Sequence, residues 1–588
     1  MSLGGTIMWK YIKPYLLFAI LAVCFMITEV SMDLLQPSLM SQIIDEGVMG
    51  SHNQGNPDLD LVVKLGLIMI SIIVIGAIGG FLNNIFVQNI SQRIGNKMRQ
   101  DSFKRIMSFS FPQIDQFGTG SLVTRMTNDI TQVQAYISMF IRTMVRTGMM
   151  MFGSIFFMFR LDPKFGWIVL CAFPFVIGCI ALCLWKANPL FDKLQRQLDD
   201  INNIMQEDIA GIRMIKACVR EVYEKIRFGK ANDALIKTQL KTLMIFAFMN
   251  PIMNMLMYSV IGLLIHFGSK DIAAGVSSPG TIMAAITYTT QLLNAILSLV
   301  MLFQIVSKGL ASWHRLRVIL ETEPELVDGA FNGQTLTNGA ITFEDVAFSF
   351  PDSQQPVLKQ INLTINPGET IGLMGATGCG KSSLVNLISR FYDVTSGRVL
   401  VDGVDVREYQ QQALRQKIAV VLQKTDLFNV TIADNIRWGN PQASDEEVVD
   451  TAKIAQAHAF ISETENGYQN MVTERGSNLS GGQKQRLSIA RAVIKPADII
   501  IFDDATSALD LSTESNLYQA LNQQRPESTK IIVAQRIATL RQANKIVVMD
   551  QGQIVAIGAH DELMSSCDIY QDIYQSQLGE EDEANEQH

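Results

Sequence analysis

The sequence lacks a disulfide pattern, an excess of basic residues and the pattern of a cleavage site after its first apolar segment. Its seven cysteines are odd in number and scattered, with no spacing typical of a disulfide framework or a metal site. This excludes a cross-linked secreted fold and favours a reducing compartment for the soluble part. The net charge of −8 gives no excess of basic residues, so we expect no nucleic-acid partner. The first apolar segment is long and no small-residue cleavage site follows it, so we expect it to be retained.

Charged residues are also scarce, at 18% of the chain against 48% hydrophobic residues. A chain of 588 residues is too long for one compact core, which predicts at least two domains. The long apolar runs all lie in the first half. A bilayer core of roughly 30 Å needs about 20 helical residues. Six segments reach that length, near residues 15–39, 61–88, 137–160, 165–185, 245–268 and 281–305.

The distribution of Lys and Arg predicts the orientation of these spans. The connection at residues 40–60 contains no Lys or Arg. The connections after the second and fourth spans are rich in both, for example at Arg93, Lys97, Lys186 and Lys193. Because basic connections remain on the inner side, we expect both of them and both termini to be cytoplasmic. These inner connections are long and have a helical pattern, so the spans should continue beyond the bilayer.

Four ionisable residues lie inside predicted spans. Glu29 and Asp33 are four residues apart on the first span, and Arg142 and Arg146 have the same spacing on the third. Intramembrane charge is costly and faces either a cavity or a partner, so these residues either pair structurally or line a substrate path. Counting helix rise from the predicted ends places Glu29 in the outer half and Arg146 in the inner half. We therefore expect no direct pair between these two.

The second half of the chain contains a glycine-rich loop directly after a short apolar strand. The run IGLMG leads into GATGCGKSS, which matches GxxxxGK[ST], and a helical pattern follows. Glycines allow backbone N–H groups to surround phosphates, and the helix N-terminus favours their charge. We expect Lys381 to reach the terminal phosphates and Ser382 to bind Mg²⁺. The predicted nucleotide-binding residues here are Gly375, Ala376, Thr377, Gly378, Cys379, Gly380, Lys381, Ser382 and Ser383.

A second element, IIIFDD at residues 499–504, has the pattern of a buried strand that ends in two carboxylates. Asp503 at the strand end suits a magnesium-linked water. Asp504 lies where a carboxylate would orient or deprotonate the attacking water. The pattern is weak alone and strong together with the phosphate loop.

A third element is LSGGQ, directly before a helical pattern. Ser480, Gly481, Gly482 and Gln483 at a helix start form a second anion-binding surface. Two phosphate-binding surfaces about 100 residues apart are explained if two chains meet head to tail. Each surface then completes the other chain's site, and two ATP molecules join the dimer.

The combination of LSGGQ with the phosphate loop resembles the ABC ATPases, and the whole chain resembles their exporter branch. The resemblance implies a multidomain fold, with an all-α six-span transmembrane domain followed by an α/β P-loop ATPase domain. It implies ATP and Mg²⁺ as ligands and a lipid bilayer as surroundings. We predict a transmembrane domain at residues 1–320, a linker at 321–340, the ATPase domain at 341–578 and a solvated acidic tail at 579–588.

The resemblance also assigns roles to single positions. Phe350 stands where the family stacks an aromatic ring, usually Tyr, on adenine. Gln423 matches the glutamine that senses magnesium and the γ-phosphate, so the implied metal-site residues are Ser382, Gln423 and Asp503. Residues 473–476 (TERG) resemble the motif facing the membrane domain, and residues 507–510 (SALD) the loop that crosses the dimer. Residues 117–130 and 208–228 resemble the cytoplasmic segments that transmit motion, and the second would dock on the partner's ATPase domain.

Two residues depart from the family pattern in the same site. Asp504 replaces the usual glutamate, and Gln535 replaces the usual switch histidine. An aspartate carboxylate is one methylene shorter, and a glutamine can donate a hydrogen bond but cannot carry a proton charge as histidine does. Both changes weaken hydrolysis more than binding. The alternative is a working site with unusual residues.

In this family, heterodimeric bacterial exporters pair one degenerate ATP site with one competent site. The chain is therefore interpreted as one subunit of a heterodimeric multidrug exporter that moves amphipathic compounds across the cell membrane. Its partner would be a second half-transporter with Glu and His at the switch positions. A homodimeric lipid or peptide exporter, and a regulatory ABC subunit that does not transport, are the alternatives. The six spans exclude a soluble ABC ATPase.

Overall fold

The computed structural model describes residues 4–50, 56–335, 338–350, 353 and 355–586. The chain divides into two compact units. The first comprises residues 1–107 and 120–322, and the second comprises residues 108–119 and 323–588.

The first unit is helical throughout its described residues, apart from short connections. Its helices are interrupted by three π-helical turns and one 3-10 turn. The α-helices are Gly4–Ile12, Leu16–Gln42, Leu59–Met107, Thr119–Thr124, Ile130–Met139, Val145–Leu161, Pro163–Ala210, Ile212–Ala217, Glu221–Ala273 and Pro279–Glu321. The π-turns are Ile43–Val48, Arg125–Asp129 and Phe140–Met144, and the 3-10 turn is Lys13–Tyr15.

Among the described residues, six helical stretches are long and apolar enough to cross a membrane, which confirms the six predicted spans. The helix Leu59–Met107 has 49 residues and Glu221–Ala273 has 53. At the α-helical rise, 49 residues span about 74 Å, more than twice the thickness of a bilayer core. The six stretches are Met8–Val48, Leu59–Met107, Thr119–Leu161, Pro163–Ala210, Glu221–Ala273 and Pro279–Leu299.

Small residues allow the first two long helices to lie close together. A Cβ added to Gly79 would lie 3.1 Å from the carbonyl oxygen of Phe25. Large apolar side chains such as Phe81 and Phe175 point outward and are 66% and 70% exposed. Such an arrangement is expected where lipid, rather than protein, covers the outer surface of a helix bundle.

An ion-paired cluster lies inside this unit and overturns one expectation. Arg146 forms an ion pair with Glu29 through Nη1 and with Asp33 through Nη2, the latter at 3.1 Å. The expectation that Glu29 and Arg146 do not pair directly is therefore wrong. The neighbouring Arg142 donates to the side-chain oxygen of Asn84 at 3.0 Å.

Two features explain why counting helix rise failed for this pair. The helical stretches extend beyond the predicted span ends, over Met8–Val48 and Thr119–Leu161, so a count from residues 15 and 137 misplaces both residues. The long arginine side chain also reaches toward a partner at another depth, which a count of Cα positions ignores.

The described residues of the second unit form two sheets. A six-stranded sheet has the order β10-β9-β3-β8-β7-β6 and is parallel except for β10. A four-stranded antiparallel sheet has the order β2-β1-β4-β5. The strands are β1 Ile341–Phe348, β2 Leu358–Ile365, β3 Thr370–Gly375, β4 Ser396–Val401, β5 Val404–Asp405, β6 Ile418–Val421, β7 Ile499–Asp503, β8 Thr529–Val533, β9 Lys545–Asp550 and β10 Gln553–Gly558.

Helices cover the parallel sheet, as expected for strands that are apolar along their whole length. All five residues of β7 are buried, as are all five of β8. The α-helices are Phe111–Phe117, Lys381–Ile388, Gln411–Lys417, Ile432–Arg437, Asp445–Ile454, His458–Ser462, Gly481–Val493, Leu511–Gln524, Ile537–Leu540, His560–Ser566 and Asp568–Glu586, with 3-10 turns Gly467–Gln469 and Glu474–Gly476.

The short helix Phe111–Phe117 belongs to this second unit although it lies between two membrane spans in the sequence. Ser110 and Gln113 form a capping box at its start. Its Phe111 ring packs against Phe391 with 4.6 Å between ring centroids. The helix leads directly into residues 117–130, the stretch predicted to transmit motion.

Candidate functional site

The phosphate loop, residues 375–383, joins the end of β3 to the helix Lys381–Ile388. Its glycines adopt backbone conformations that other residues rarely take, with φ of +147° at Gly375, +88° at Gly378 and +103° at Gly380. A Cβ on Gly380 would also lie 2.7 Å from the Leu358 side chain. The glycine pattern is therefore required by the loop's own shape, which leaves backbone N–H groups free of covering side chains.

Lys381 lies folded over this loop. Its Nζ donates hydrogen bonds to the carbonyl oxygens of Gly375 at 2.7 Å and Ala376 at 2.9 Å. These contacts place a positive charge beside the concave surface of the loop. Such a charge suits the terminal phosphates of a nucleotide.

Ser382 and Asp503 join the phosphate loop to the end of β7. The Ser382 hydroxyl donates to Asp503 Oδ1 at 2.9 Å. Asp503 is 5% exposed, and burial raises the pKa of its carboxyl above that of an exposed aspartate. A hydroxyl and a carboxylate side by side are oxygen donors of the kind that Mg²⁺ prefers, so the pair fits this ion.

Asp504 follows directly and has a left-handed backbone, with φ of +51°. Aspartate is one of the few residues that tolerate this conformation, because its short polar side chain bonds locally. Its backbone N–H donates to the Val533 carbonyl at 3.0 Å. Its Oδ2 accepts a hydrogen bond from Nε2 of Gln423 at 3.1 Å. The carboxylate is therefore held by an amide from the segment after β6.

These groups line one cavity of about 420 Å³. The strand order explains why, because β3, β8 and β7 are neighbours and the carboxyl ends of parallel strands meet at one sheet edge. The sequence did not indicate Val357, Val533 and Ala534, which are apolar and carry no motif. The lining residues are Phe350, Val357, Thr377, Gly378, Gly380, Lys381, Ser382, Ser383, Gln423, Asp503, Asp504, Val533, Ala534 and Gln535.

Phe350 forms an aromatic wall of this cavity. Its ring meets Phe348 edge-on at 4.9 Å and Tyr392 edge-on at 5.4 Å between centroids. Phe350 is 37% exposed and lines the cavity, so it can contact a planar ring bound there.

The signature residues lie apart from the cavity lining of their own chain. Ser480 caps the helix Gly481–Val493, and its hydroxyl accepts a hydrogen bond from the Gln483 N–H at 3.3 Å. Gln483 Oε1 in turn accepts from the Ser480 N–H at 2.9 Å. This capping box fixes an exposed helix start, the predicted second anion-binding surface.

Gln485 connects the signature helix to the loop at residues 507–510, a link that the sequence motifs did not indicate. Its Nε2 donates to the Ser507 hydroxyl at 3.1 Å, and its Oε1 accepts from the Ala508 N–H at 2.9 Å. Gln485 is buried. The two elements predicted to face a partner are thus held together as one surface.

Asp510 ends that loop and caps the helix Leu511–Gln524. Its Oδ2 accepts hydrogen bonds from the Ser512 hydroxyl and from the Thr513 N–H, the latter at 3.0 Å. These bonds hold the pKa of Asp510 well below its usual range. Its negative charge is also favourable at the helix N-terminus.

Each half of the chain matches the model of a known protein family. The family model described as the ABC transporter transmembrane region matches residues 18–296. The model described as ABC transporter matches residues 358–507, which include the phosphate loop, the signature and both carboxylates. The chain belongs to the ABC transporter family. It is a half-transporter of the exporter type, with one transmembrane domain and one ABC ATPase domain.

Similar proteins cover nearly the whole transporter. It is 38% identical to the ABC transporter ATP-binding protein YfiB of Bacillus subtilis (strain 168) over 573 residues, 97% of this chain and 98% of that protein. It is 32% identical to the ATP-dependent lipid A-core flippase of Syntrophus aciditrophicus (strain SB) over 570 residues, 96% of this chain and 92% of that protein.

A solved structure of a bacterial Atm1-family ABC exporter with ATP bound has the same fold. It matches the transporter with a TM-score of 0.80 at 24% identity, and covers 96% of this chain and 99% of that one. The predicted fold class is therefore confirmed. The transporter is a multi-pass membrane protein with an ATP-binding ABC domain.

Proposed function

We propose that this chain is one subunit of a heterodimeric ABC exporter. In this proposal its own ATP site hydrolyses weakly, and its signature completes the competent site of a different half-transporter. The observation that carries the proposal is the position of Asp504 and Gln535 in one cavity with the phosphate loop. Two weakened hydrolytic residues act on the same ATP, while the binding residues around them are intact.

The chain's own residues have separate tasks at this site. Phe350 stacks on the adenine, the loop amides and Lys381 hold the phosphates, and Ser382 with Asp503 and Gln423 would hold Mg²⁺. When bound, that ion neutralises charge on the phosphates. All of these groups favour binding, and they line the same cavity as the weakened pair.

Asp504 is the group that would orient or deprotonate the attacking water. Its carboxylate is one methylene shorter than that of the usual glutamate and is bonded to the Gln423 amide at 3.1 Å. Gln535 can donate to the γ-phosphate but supplies no positive charge.

The intact signature supports the other half of the proposal. Ser480 and the start of the helix Gly481–Val493 are exposed and are fixed by a capping box. A helix start of this kind stabilises negative charge. On the partner's ATP it would stabilise the transferring phosphate. The loop at residues 507–510, held to the same helix by Gln485, would cross the dimer beside it.

Two exposed apolar surfaces support a dimer in which chains exchange docking segments. The short helix Ile212–Ala217 and the turn after it expose Met214 by 73% and Val219 by 79%. The ATPase unit has a groove of about 380 Å³ lined by Phe428 and Trp438, which stack at 4.1 Å. We propose that this segment of one chain docks in the groove of its partner.

For orientation, we propose that the ATPase domain and both termini are cytoplasmic, because Lys and Arg are concentrated in the same connections. The substrates would be amphipathic compounds that move outward. The proposed substrate path lies among the spans, where the cluster of Glu29, Asp33 and Arg146 places charge.

A homodimeric lipid exporter is the second candidate. The observation that favours it is the 32% identity, over nearly the whole chain, to proteins named ATP-dependent lipid A-core flippase. In a homodimer, however, both sites would contain Asp504 and Gln535, and both would hydrolyse weakly.

The experiment is to purify the full-length chain alone and together with a half-transporter that has Glu and His at the switch positions, each in lipid nanodiscs. We expect slow ATP turnover for the chain alone and at least a roughly tenfold higher turnover for the pair, because removal of one hydrolytic group costs that much or more. Turnover by the chain alone that equals that of the pair would favour the homodimer.

A further inference from the structure

The segment at residues 535–537, here called the switch segment, is held by a side chain from the C-terminal helix. Gln577 donates from Nε2 to the carbonyl oxygen of Gln535 at 2.7 Å. Its Oε1 accepts from the N–H of Ile537 at 2.9 Å. One amide therefore bridges the backbone on both sides of Arg536.

This bridge supplies a helix cap that the local sequence does not. The helix Ile537–Leu540 begins one residue after Arg536, which has no short polar side chain to accept a hydrogen bond from the first N–H groups. The Arg536 guanidinium instead donates to the carbonyl oxygen of Leu509 at 3.1 Å. An unpaired N–H at a helix start would be costly if buried, and Ile537 is 2% exposed.

Gln577 lies on a face of its helix that is anchored in the ATPase core. The helix is Asp568–Glu586. Tyr570 is fully buried, and Ile573 and Tyr574 pack against the same core. Residues 570, 574 and 577 are spaced four and three apart and lie on one side of an α-helix. Gln577 is thus presented to the switch segment from a fixed support, 42 residues away in sequence.

We propose that Gln577 is a positioning residue that holds the switch segment so that the Gln535 side chain points to ATP. The inference rests on the role proposed above for Gln535. The Gln535 side chain is exposed and lines the nucleotide cavity. Its direction is set by its backbone, and the carbonyl of that same residue is the group that Gln577 binds.

The chain offers a matched control on the same helix. Gln571 donates from Nε2 to the carbonyl oxygen of Met564 at 2.8 Å, within the C-terminal helices and outside the switch segment. The variants Gln577→Ala and Gln571→Ala each remove one glutamine amide from one helix. Only the first releases the switch segment.

The experiment measures how long this chain retains nucleotide. The full-length chain is purified with its partner, loaded with radiolabelled 8-azido-ATP and Mg²⁺, washed for increasing times, photolysed, and the two subunits are separated by electrophoresis. For Gln577→Ala we expect label on this chain to be lost faster by a factor on the order of five to ten, since two hydrogen bonds are removed. Gln571→Ala should retain label like the wild type.

The variant Gln577→Glu separates positioning from helix stability. Its carboxylate can accept from Ile537 but repels the Gln535 carbonyl, whereas the protonated acid can donate to that carbonyl again. Retention relative to the wild type at the same pH should therefore recover as the pH falls from neutral toward the ordinary glutamate pKa of about 4.3. A glutamine that only stabilised its helix would show no such recovery.

The inference is overturned if Gln577→Ala retains label like the wild type, if Gln571→Ala loses it equally fast, or if Gln577→Glu shows no recovery with pH. Label on this chain can be followed whether or not its site hydrolyses. A failure of the heterodimer proposal would instead appear in the turnover of the separate and paired subunits.

Discussion

Gln423 and Asp504 are joined by a hydrogen bond of 3.1 Å from the Gln423 amide to the Asp504 carboxylate. The bond links the segment after β6 with the residue after β7, so it crosses the edge of the sheet at which the nucleotide cavity lies. It brings the side-chain amide proposed to sense magnesium into contact with the carboxylate that would orient or deprotonate the attacking water. The predictions that follow concern this site, the signature and the ion-paired cluster in the membrane domain.

Lys381→Ala should weaken ATP binding at this chain's own site by roughly 10- to 100-fold, because the phosphate charge loses a charge-assisted contact. Titration of the purified complex with a fluorescent ATP analogue checks this. Lys359→Ala, at an exposed lysine on the neighbouring strand β2, is the control and should bind normally. An unchanged affinity of the Lys381 variant would contradict the assignment of the phosphate loop.

Asp503→Asn should have opposite effects on the thermal stability of the free protein and on its binding of ATP and Mg²⁺. Burial raises the pKa of Asp503, so the ionised form is disfavoured in the folded protein. A raised carboxyl pKa means that folding is favoured at low pH and loses stability as the pH rises from the unfolded pKa through the folded one. At pH 7 the neutral asparagine avoids this cost.

We therefore expect Asp503→Asn to raise, or at least maintain, the thermal unfolding midpoint without nucleotide, and to abolish the additional stabilisation by ATP and Mg²⁺. Differential scanning fluorimetry with and without nucleotide provides both values. A lower midpoint without nucleotide would show that the hydrogen bond from Ser382 to the Asp503 carboxylate outweighs the desolvation of that carboxylate.

The double replacement Asp504→Glu with Gln535→His should raise ATP turnover at this chain's site, since it restores the longer carboxylate and an imidazole. The gain should be several-fold rather than complete. Glutamate at a φ of +51° meets strain that aspartate tolerates. The single variant Gln535→His is the control, because it restores the imidazole and keeps the shorter carboxylate of Asp504. No gain beside a partner with an intact signature would count against the proposed defect.

The two halves of the proposed dimer site predict an asymmetry within this one chain. Ser480→Ala with Gly481→Asp should nearly abolish turnover by the two-subunit complex, because charge on the transferring phosphate loses its stabiliser. Asp504→Asn should lower turnover much less, since most turnover never uses that carboxylate. Steady-state ATPase rates of both variants test this. Equal damage from the two would make a symmetric homodimer the better account.

Arg146→Ala should destabilise the membrane domain by about 1–2 kcal/mol, because it leaves Glu29 and Asp33 as two uncompensated acids. The arginine side chain is 38% exposed, which reduces the effect from that of a buried pair. Arg142→Ala removes a bond to the neutral Asn84 and is the matched control, with a smaller expected effect. Thermal unfolding in detergent measures both.

Transport by Glu29→Gln extends that test. The cluster sets two acidic side chains, Glu29 and Asp33, against one arginine, and the variant removes one of the acids. If the cluster lines the substrate path, transport of cationic dyes should fall while that of neutral compounds is maintained. Unchanged transport of several cationic dyes by a folded variant would show that the cluster is structural.

Some features could be predicted from consecutive residues alone. The six spans follow from the length of apolar runs. The phosphate loop follows from the spacing of its glycines. Gly378 and Gly380 adopt the positive φ angles that this loop requires. In both cases the residues that form the structure are neighbours in the chain. The local sequence alone therefore shows whether the structure can form.

Other features were decided by the tertiary structure. The pair between Arg146 and Glu29 joins residues 117 positions apart, and the bond from Gln577 to Gln535 joins residues 42 apart. Whether such groups meet depends on where the packed helices begin and end and on the face that an anchored helix presents. No local pattern determines these properties, because the energy of each contact is shared between segments whose relative position is fixed only when the whole core packs.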